Sequence, residues 1–476
     1  MTTPTTHAAS AEVTVIDTHA RWPLLLLIGA AIGWLVLSGV LALIAAIQLH
    51  SPAFFSDCAL FTHGRMEAMR ETAFVYGWAG NAGLAIALWI LGRLGGHPLR
   101  ALNWVVVGGV FWNLGIAAGL GGIATGDMTS FALLQLPRYV QPLLVFAYAA
   151  IAISGVLAWS GRTREGTYAS QWYAVAGLFL FPWLLTAAQM LLLWSPVRGV
   201  VQAIGAAWYG QGVYALWLIP SALAGVYYIV PKVSGQNVPS YEAAPLAFWM
   251  LIVVGTWSGG RQLVGGPVPA WIPTVAVMGG ALLLYHFVVV ALNLRIAFGA
   301  EGTAMKFVRF GLGAYLLSGV LGLVTSFRGV AVHTQFTFVE PALQQLAFYG
   351  AVSMFFFGVI YYMVPRLTGR PWGFATLATG HAVTMMIGIA ASVGALALAG
   401  MTQSRLLMDA KVGFPEIFGQ VQVALLLNSA AQLVLLGGNL LLLVNFVRTA
   451  CVCGEETPSA APEFCREPAT VEGRVS

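Results

Sequence analysis

The sequence predicts an all-α integral membrane protein of twelve transmembrane helices, and three observations carry that prediction. Hydrophobic residues make up 59% of the 476 positions and charged residues only 8%, far too little charge to keep a soluble chain of this length dispersed. The apolar residues gather into twelve runs of roughly 20–28 residues, each long enough to cross a hydrocarbon layer of about 30 Å as a helix. The Lys and Arg residues fall almost entirely between the runs, as expected where burying a charge in lipid is costly.

In chain order the runs open near Trp22, Thr72, Ala101, Tyr139, Ser170, Gly205, Glu242, Trp271, Phe307, Glu340, Ala375 and Phe418. They define a membrane domain over 21–448, flanked by a polar N-terminal tail over 1–20 and a polar C-terminal tail over 449–476. The first 20 residues lack a charged segment followed by a short apolar core, so no cleaved signal peptide is expected. The 55 glycines suit close helix–helix approach in lipid. No basic run exists to bind phosphates, so nucleic acid is excluded as a partner and membrane lipid is the expected surroundings.

Sidedness follows from the basic residues. An even number of spans puts both termini on one side, and 14 of the 22 Lys and Arg residues fall there against seven opposite. The excess places that side, and both termini, in the cytoplasm of a bacterial inner membrane. A near-repeat agrees: GVYYIVPK (225–232) closes span six and GVIYYMVPR (358–366) closes span ten. Each ends in aromatic residues, proline and a cation, the chemistry of an interfacial helix stop. The repeat fits convergent interface chemistry or a related helix arrangement equally well.

The chain has four cysteines and no C-x-x-C-H for covalent haem attachment. Cys451 and Cys453 form a C-x-C after the last span, where free thiols in a reducing cytoplasm are a simpler reading than a metal site. Arg261, in TWSGGRQLVGG, is the one cation that this reading of the spans places inside a hydrophobic run. Such a charge costs about 2.5–3.5 kcal/mol on insertion scales and so needs a partner or a purpose.

Four segments together resemble one family. WYGQGVYALWLIPSALAGVYYIVPK is similar to span six of the catalytic subunit I of haem–copper oxidases of the cytochrome cbb class, which opens WYGHN and closes YYFVPK. TWSGGRQLVGG resembles that family's span-seven WAGPHHLHYT. TQFTFVEPALQQLAFYG resembles TDWTIGHVHSGALGW at the start of span ten, and LFTHGRMEAMRETAFVYGWAGNAG resembles GRLRPLHT…GFGG of span two. The likeness covers about 55–370 in the family's order and implies a subunit I-like helix bundle.

It also implies where metal ligands should stand, and there the chain departs. The family's copper ligands, one His on span six and a pair on span seven, correspond to Gln211, Arg261 and Gln262. Its redox-active Tyr corresponds to Gly265. The two span-ten haem ligands correspond to Glu340 and Ala342, and the span-two haem ligand to Arg70. Guanidinium has no lone pair to give a metal, and copper and haem iron need imidazole, thiolate or thioether.

The resemblance therefore implies a relative of cytochrome c oxidase subunit I with no haem, no copper and no catalytic residues. The expected replacement is an ion-pair network of Arg70, Glu71, Arg261 and Glu340, with Glu340 paired to Arg261 or Arg70 and with Gln211 and Gln262 completing the hydrogen bonds. Of the eight histidines, His63 and His333 lie near spans two and ten and are the alternative ligands for a displaced haem b. Three functions follow: a non-catalytic member of a respiratory assembly that contacts a membrane-anchored c-type cytochrome or other subunits; an oxygen or nitric oxide reductase with unusual ligation; or a proton or small-ion conduit through the vacated cavity.

Overall fold

A chain in lipid has no water to satisfy its backbone, so each crossing segment bonds its own N–H and C=O groups as a helix. The structure, a computed structural model that describes residues 4–163 and 166–451, is accordingly helical nearly throughout. Its long helices are α1 Pro4–His50, α2 His63–Gly95, α3 Leu102–Thr125, α4 Gln141–Ser160, α5 Ala169–Trp194 and α6 Val200–Ser234. There follow α7 Tyr241–Val254, which continues after a 42° bend as Trp257–Leu263, α8 Trp271–Gly299, α9 Thr303–Val324, α10 Val339–Thr368, α11 Ala375–Leu407 and α12 Phe414–Cys451. A two-turn helix, Arg328–Thr334, joins α9 to α10. Among the described residues eleven helices are long and apolar enough to cross a membrane, and the bent α7 makes the twelfth.

Three helices form the centre. The most apolar stretches of α2, α6 and α10 are 100%, 94% and 89% buried, against 56% or less elsewhere. Each inner helix carries a π-helical stretch, Ala73–Gly80, Val213–Leu218 and Leu346–Ser353. Such a stretch inserts extra residue into the turn and re-aims the side chains around it. Aromatic and polar contacts pin the inner helices together: Trp78 Nε1 donates to Ser353 Oγ at 2.9 Å, and the Tyr76 and Tyr209 hydroxyls meet at 2.6 Å. Phe181 of α5 stacks on Trp217 at 3.6 Å. The other helices wrap this core, with α1 against α12 and α2, α3 against α4, and α11 against α12.

The near-repeat lies at matching ends of two inner helices. Lys232 sits 5.9 Å over the Tyr228 ring and Arg366 sits 3.4 Å over Tyr362. The likeness therefore extends from eight or nine letters to two packed helices of the same build.

Several element boundaries differ from the sequence reading. The segment 1–20, expected as a tail, is helical from Pro4, and Ile16, Asp17 and Ala20 are buried. Its polar letters hid a packed face. Helix α2 begins at His63 rather than Thr72, because its first ten residues are polar and face a cavity instead of lipid. The C-terminal helix runs on through Cys451; Cys453, Cys465 and the remainder of the segment 449–476 lie outside the described residues. Arg261 is not the sole cation within a span: Arg93, near the end of α2, is 4% exposed.

Candidate functional site

The polar ends of α2, α7 and α10 meet around a cavity of about 460 Å³, closed further by residues of α1, α6, α8, α9, α11 and α12. Two charged clusters line it. In the first, Arg70 grips Glu67 one turn earlier on α2: its Nε donates to Oε2 at 2.9 Å and its Nη2 to Oε1. Glu71 Oε1 lies 3.6 Å from the same guanidinium, and Glu71 Oε2 accepts from Gln135 Nε2 at 2.6 Å. One arginine thus stands between two carboxylates.

In the second cluster, Arg261 Nη1 donates to Glu340 Oε1 at 3.2 Å and to Thr325 Oγ1 at 3.3 Å, while the Arg261 carbonyl accepts from Gln335 Nε2 at 3.0 Å. The two side chains are 16% and 22% exposed. They reach this position because α7 breaks: the tight segment Trp257–Leu263 turns inward, and Gly259 lets it rest directly on α6. A Cβ at Gly259 would stand 2.6 Å from both the Ala207 carbonyl oxygen and the Gln211 Cβ. Glu340, in the first turn of α10, adds a favourable helix-dipole interaction.

The structure brings Arg261 to Glu340 and Arg70 to Glu71. Among the described residues no salt bridge joins the two clusters, so Arg70 does not reach Glu340. Gln211 and Gln262 both line the cavity, Gln262 being exposed. Ala342 is buried, and Gly265 lies on an exposed turn at φ +81°. His63 lines the cavity and is exposed, whereas His333 is exposed on the two-turn helix that packs on α11. Phe74, Phe348 and Tyr349 build an aromatic wall, with Phe74 and Tyr349 centroids 4.6 Å apart.

Two features escaped sequence reasoning. Glu67 is the principal partner of Arg70, and its i,i+3 spacing was the available signal. Asp17 and Arg93 form the most buried ion pair among the described residues, at 4% and 3% side-chain exposure. Asp17 Oδ1 accepts from Arg93 Nε and Trp89 Nε1, each at 2.9 Å, and Arg93 Nη1 donates to the Tyr228 hydroxyl at 3.1 Å. This pair ties α1, α2 and α6 together away from the cavity. Of the remaining histidines, His286 bonds the Ala247 carbonyl and the Tyr315 hydroxyl at 2.8 Å each, and His381 bonds the Tyr361 hydroxyl at 3.1 Å.

The donor set can be set against the needs of a metal centre. The cavity lining holds one imidazole, His63, and no cysteine or methionine. Among the described residues no three His, Cys, Asp or Glu side chains converge as metal ligands do. These residues do not fit a haem–copper centre, which draws on imidazole, thiolate or thioether donors.

The fold is that of a multi-pass membrane protein whose inner helices close around a polar cavity. A family model described as cytochrome c and quinol oxidase polypeptide I matches residues 23–438, and the chain belongs to that family. It is 23% identical over 393 residues to the cytochrome c oxidase subunit 1 of Rhodobacter capsulatus, covering 78% of this chain and 73% of that protein. It is 24% identical over 351 residues to a Cbb3-type cytochrome c oxidase subunit of Stutzerimonas stutzeri, covering 71% of this chain and 74% of that one. A cryo-EM structure of a heme-copper terminal oxidase dimer shares the fold at a TM-score of 0.67 and 16% identity, over 94% of this chain and 86% of that chain.

Proposed function

We propose that this chain is a subunit I-like protein that works without haem or copper, as a non-catalytic member of a respiratory or electron-transfer assembly. The observation that carries the reading is the lining of the cavity. The motif correspondence puts Arg70, Gln211, Arg261, Gln262, Glu340 and Ala342 at the six ligand positions, and none of them is a histidine. Arg261 there is a fixed cation held by Glu340, and a fixed cation repels a metal ion. The clusters offer hydrogen bonds and charge but no soft donor for a redox metal. A membrane-anchored c-type cytochrome or another oxidase subunit is the partner this reading names, and the basic-residue excess puts both termini in the cytoplasm.

The reduced-minus-oxidised optical spectrum and the copper and iron content of the purified protein test this. A flat spectrum and metal far below one atom per chain are expected; stoichiometric haem or copper would refute the reading. A haem b held by His63 is the competing possibility, favoured by that imidazole at the cavity wall. It predicts a haem band that His63→Ala abolishes.

A further inference from the structure

The two arginines of the cavity are not equally engaged. Arg70 serves two carboxylates, Glu67 through Nε and Nη2 and Glu71 at 3.6 Å. Arg261 serves one. Its Nη1 holds Glu340 and Thr325, whereas among the described residues its Nε and Nη2 make no hydrogen bond, and neither atom is buried. That leaves one edge of a guanidinium in the cavity lining open, and it is an edge that can grip a carboxylate with two parallel bonds. Gln211 lines the cavity nearby, where Gly259 brings the α7 continuation onto α6.

From Arg261 an apolar groove runs inward between α8 and α9. Gly260, the residue before Arg261, packs on α8, its Cβ position 3.3 Å from the Ala276 Cβ. Ala276, Gly280, Leu283 and Phe287 all line the cavity, and steps of four, three and four residues make them a single stripe of α8, about 16 Å long. Across from it, Thr325 binds Arg261 just past the end of α9, and Gly322 and Gly319 line the cavity one and nearly two turns deeper.

The groove is walled where the two helices touch. A Cβ at Gly319 would meet the Phe287 ring at 2.4 Å, and one at Gly280 would meet Leu323 Cδ1 at 3.0 Å. Gly322 is different: nothing lies within 4 Å of its Cβ position. It stands on the side of α9 opposite Leu317, Val320 and Val324, which are 50%, 45% and 40% exposed, so the open space beside it belongs to the cavity. Ser318 donates to the Tyr315 carbonyl of its own helix at 2.9 Å, and the α8 and α9 walls are otherwise apolar below Thr325. A mainly apolar cleft with a few polar groups at one end is the usual form of a small-molecule site.

We infer that this groove binds a monocarboxylate carrying an apolar chain, with the carboxylate on the open edge of Arg261 and the chain along the α8 stripe. The ligand gives Arg261 the second carboxylate that Arg70 already has. An amine head would meet the same guanidinium and be repelled. The proposal rests on the metal-free reading of the cavity, because Arg261 and Gln211 stand at the ligand positions of copper.

The test is equilibrium dialysis of the full chain in nanodiscs against radiolabelled octanoate, with empty nanodiscs as the blank and metal content measured on the same sample. Saturable binding at one octanoate per chain is expected, with butyrate and octylammonium competing poorly. Arg261→Gln should weaken octanoate about tenfold or more, through loss of hydrogen bonds to a charged group. Gly322→Leu keeps Arg261 and fills the groove, so it should weaken octanoate about tenfold and butyrate far less; it decides the matter if Arg261→Gln does not fold. Binding no greater than to empty nanodiscs, equal competition by octylammonium, or octanoate affinity unmoved by the folded variants would overturn the proposal. Copper in the sample would refute the reading of the cavity and the ligand with it, whereas a metal-free protein that fails the binding tests refutes the ligand alone.

Discussion

Burial separates the two ion pairs that matter most in this molecule. Asp17 and Arg93 are 4% and 3% exposed, so removing one partner leaves a charge stranded in the core. Asp17→Asn should cost about 3–5 kcal/mol, read as a lower thermal unfolding midpoint in detergent. Asp17→Asn with Arg93→Gln should cost less than the sum of the single changes. Glu340→Gln, at a pair 16% and 22% exposed, should cost about 1 kcal/mol or less by the same measurement. If the order of the two effects is reversed, burial is not what sets them. The sequence displayed these charges unevenly. Arg261 interrupts an apolar run and is visible at once. Asp17 sits among Thr14, Thr18 and His19, letters that pattern as a tail, and Arg93 stands beside Gly95, Gly96, His97 and Pro98, which pattern as an interface. Their pairing depends on how α1 leans across α2, which no local pattern encodes.

At the scale of elements, the twelve apolar runs translate into twelve helices, but the three functional ends were the least legible. Helix α2 starts nine residues before its apolar run because a cavity, not lipid, receives its first turns. The break in α7 follows from contact with α6 at Gly259, a tertiary effect that hydropathy does not report. Gly259→Ala should therefore lower the thermal midpoint, since its Cβ would stand 2.6 Å from a carbonyl oxygen. Gly121→Ala, where nothing lies within 4 Å of the new Cβ, should leave stability unchanged or raise it by up to about 1 kcal/mol. Equal losses at both glycines would show that the α6–α7 contact is not tight. The π stretches of α2, α6 and α10 were likewise invisible, because hydropathy does not report an extra residue in a helical turn.

For the whole molecule, family membership and fold leave the chemistry open, since one fold hosts many functions and the site decides among them. Replacing Gln211, Arg261 and Gln262 together by His should let the purified protein retain copper that the unmodified chain does not. Metal analysis of both proteins checks this, and equal copper contents would refute the correspondence of those positions. The bend in α7 also bears on how the protein is made. Its straight part, Tyr241–Val254, is 14 residues, about 21 Å of helix, shorter than the lipid core it must cross. Its continuation carries Arg261, whose carboxylate partner is encoded 79 residues later. During synthesis Arg261 therefore precedes its carboxylate partner, and the ion pair at the end of α7 can close only after α10 has been made.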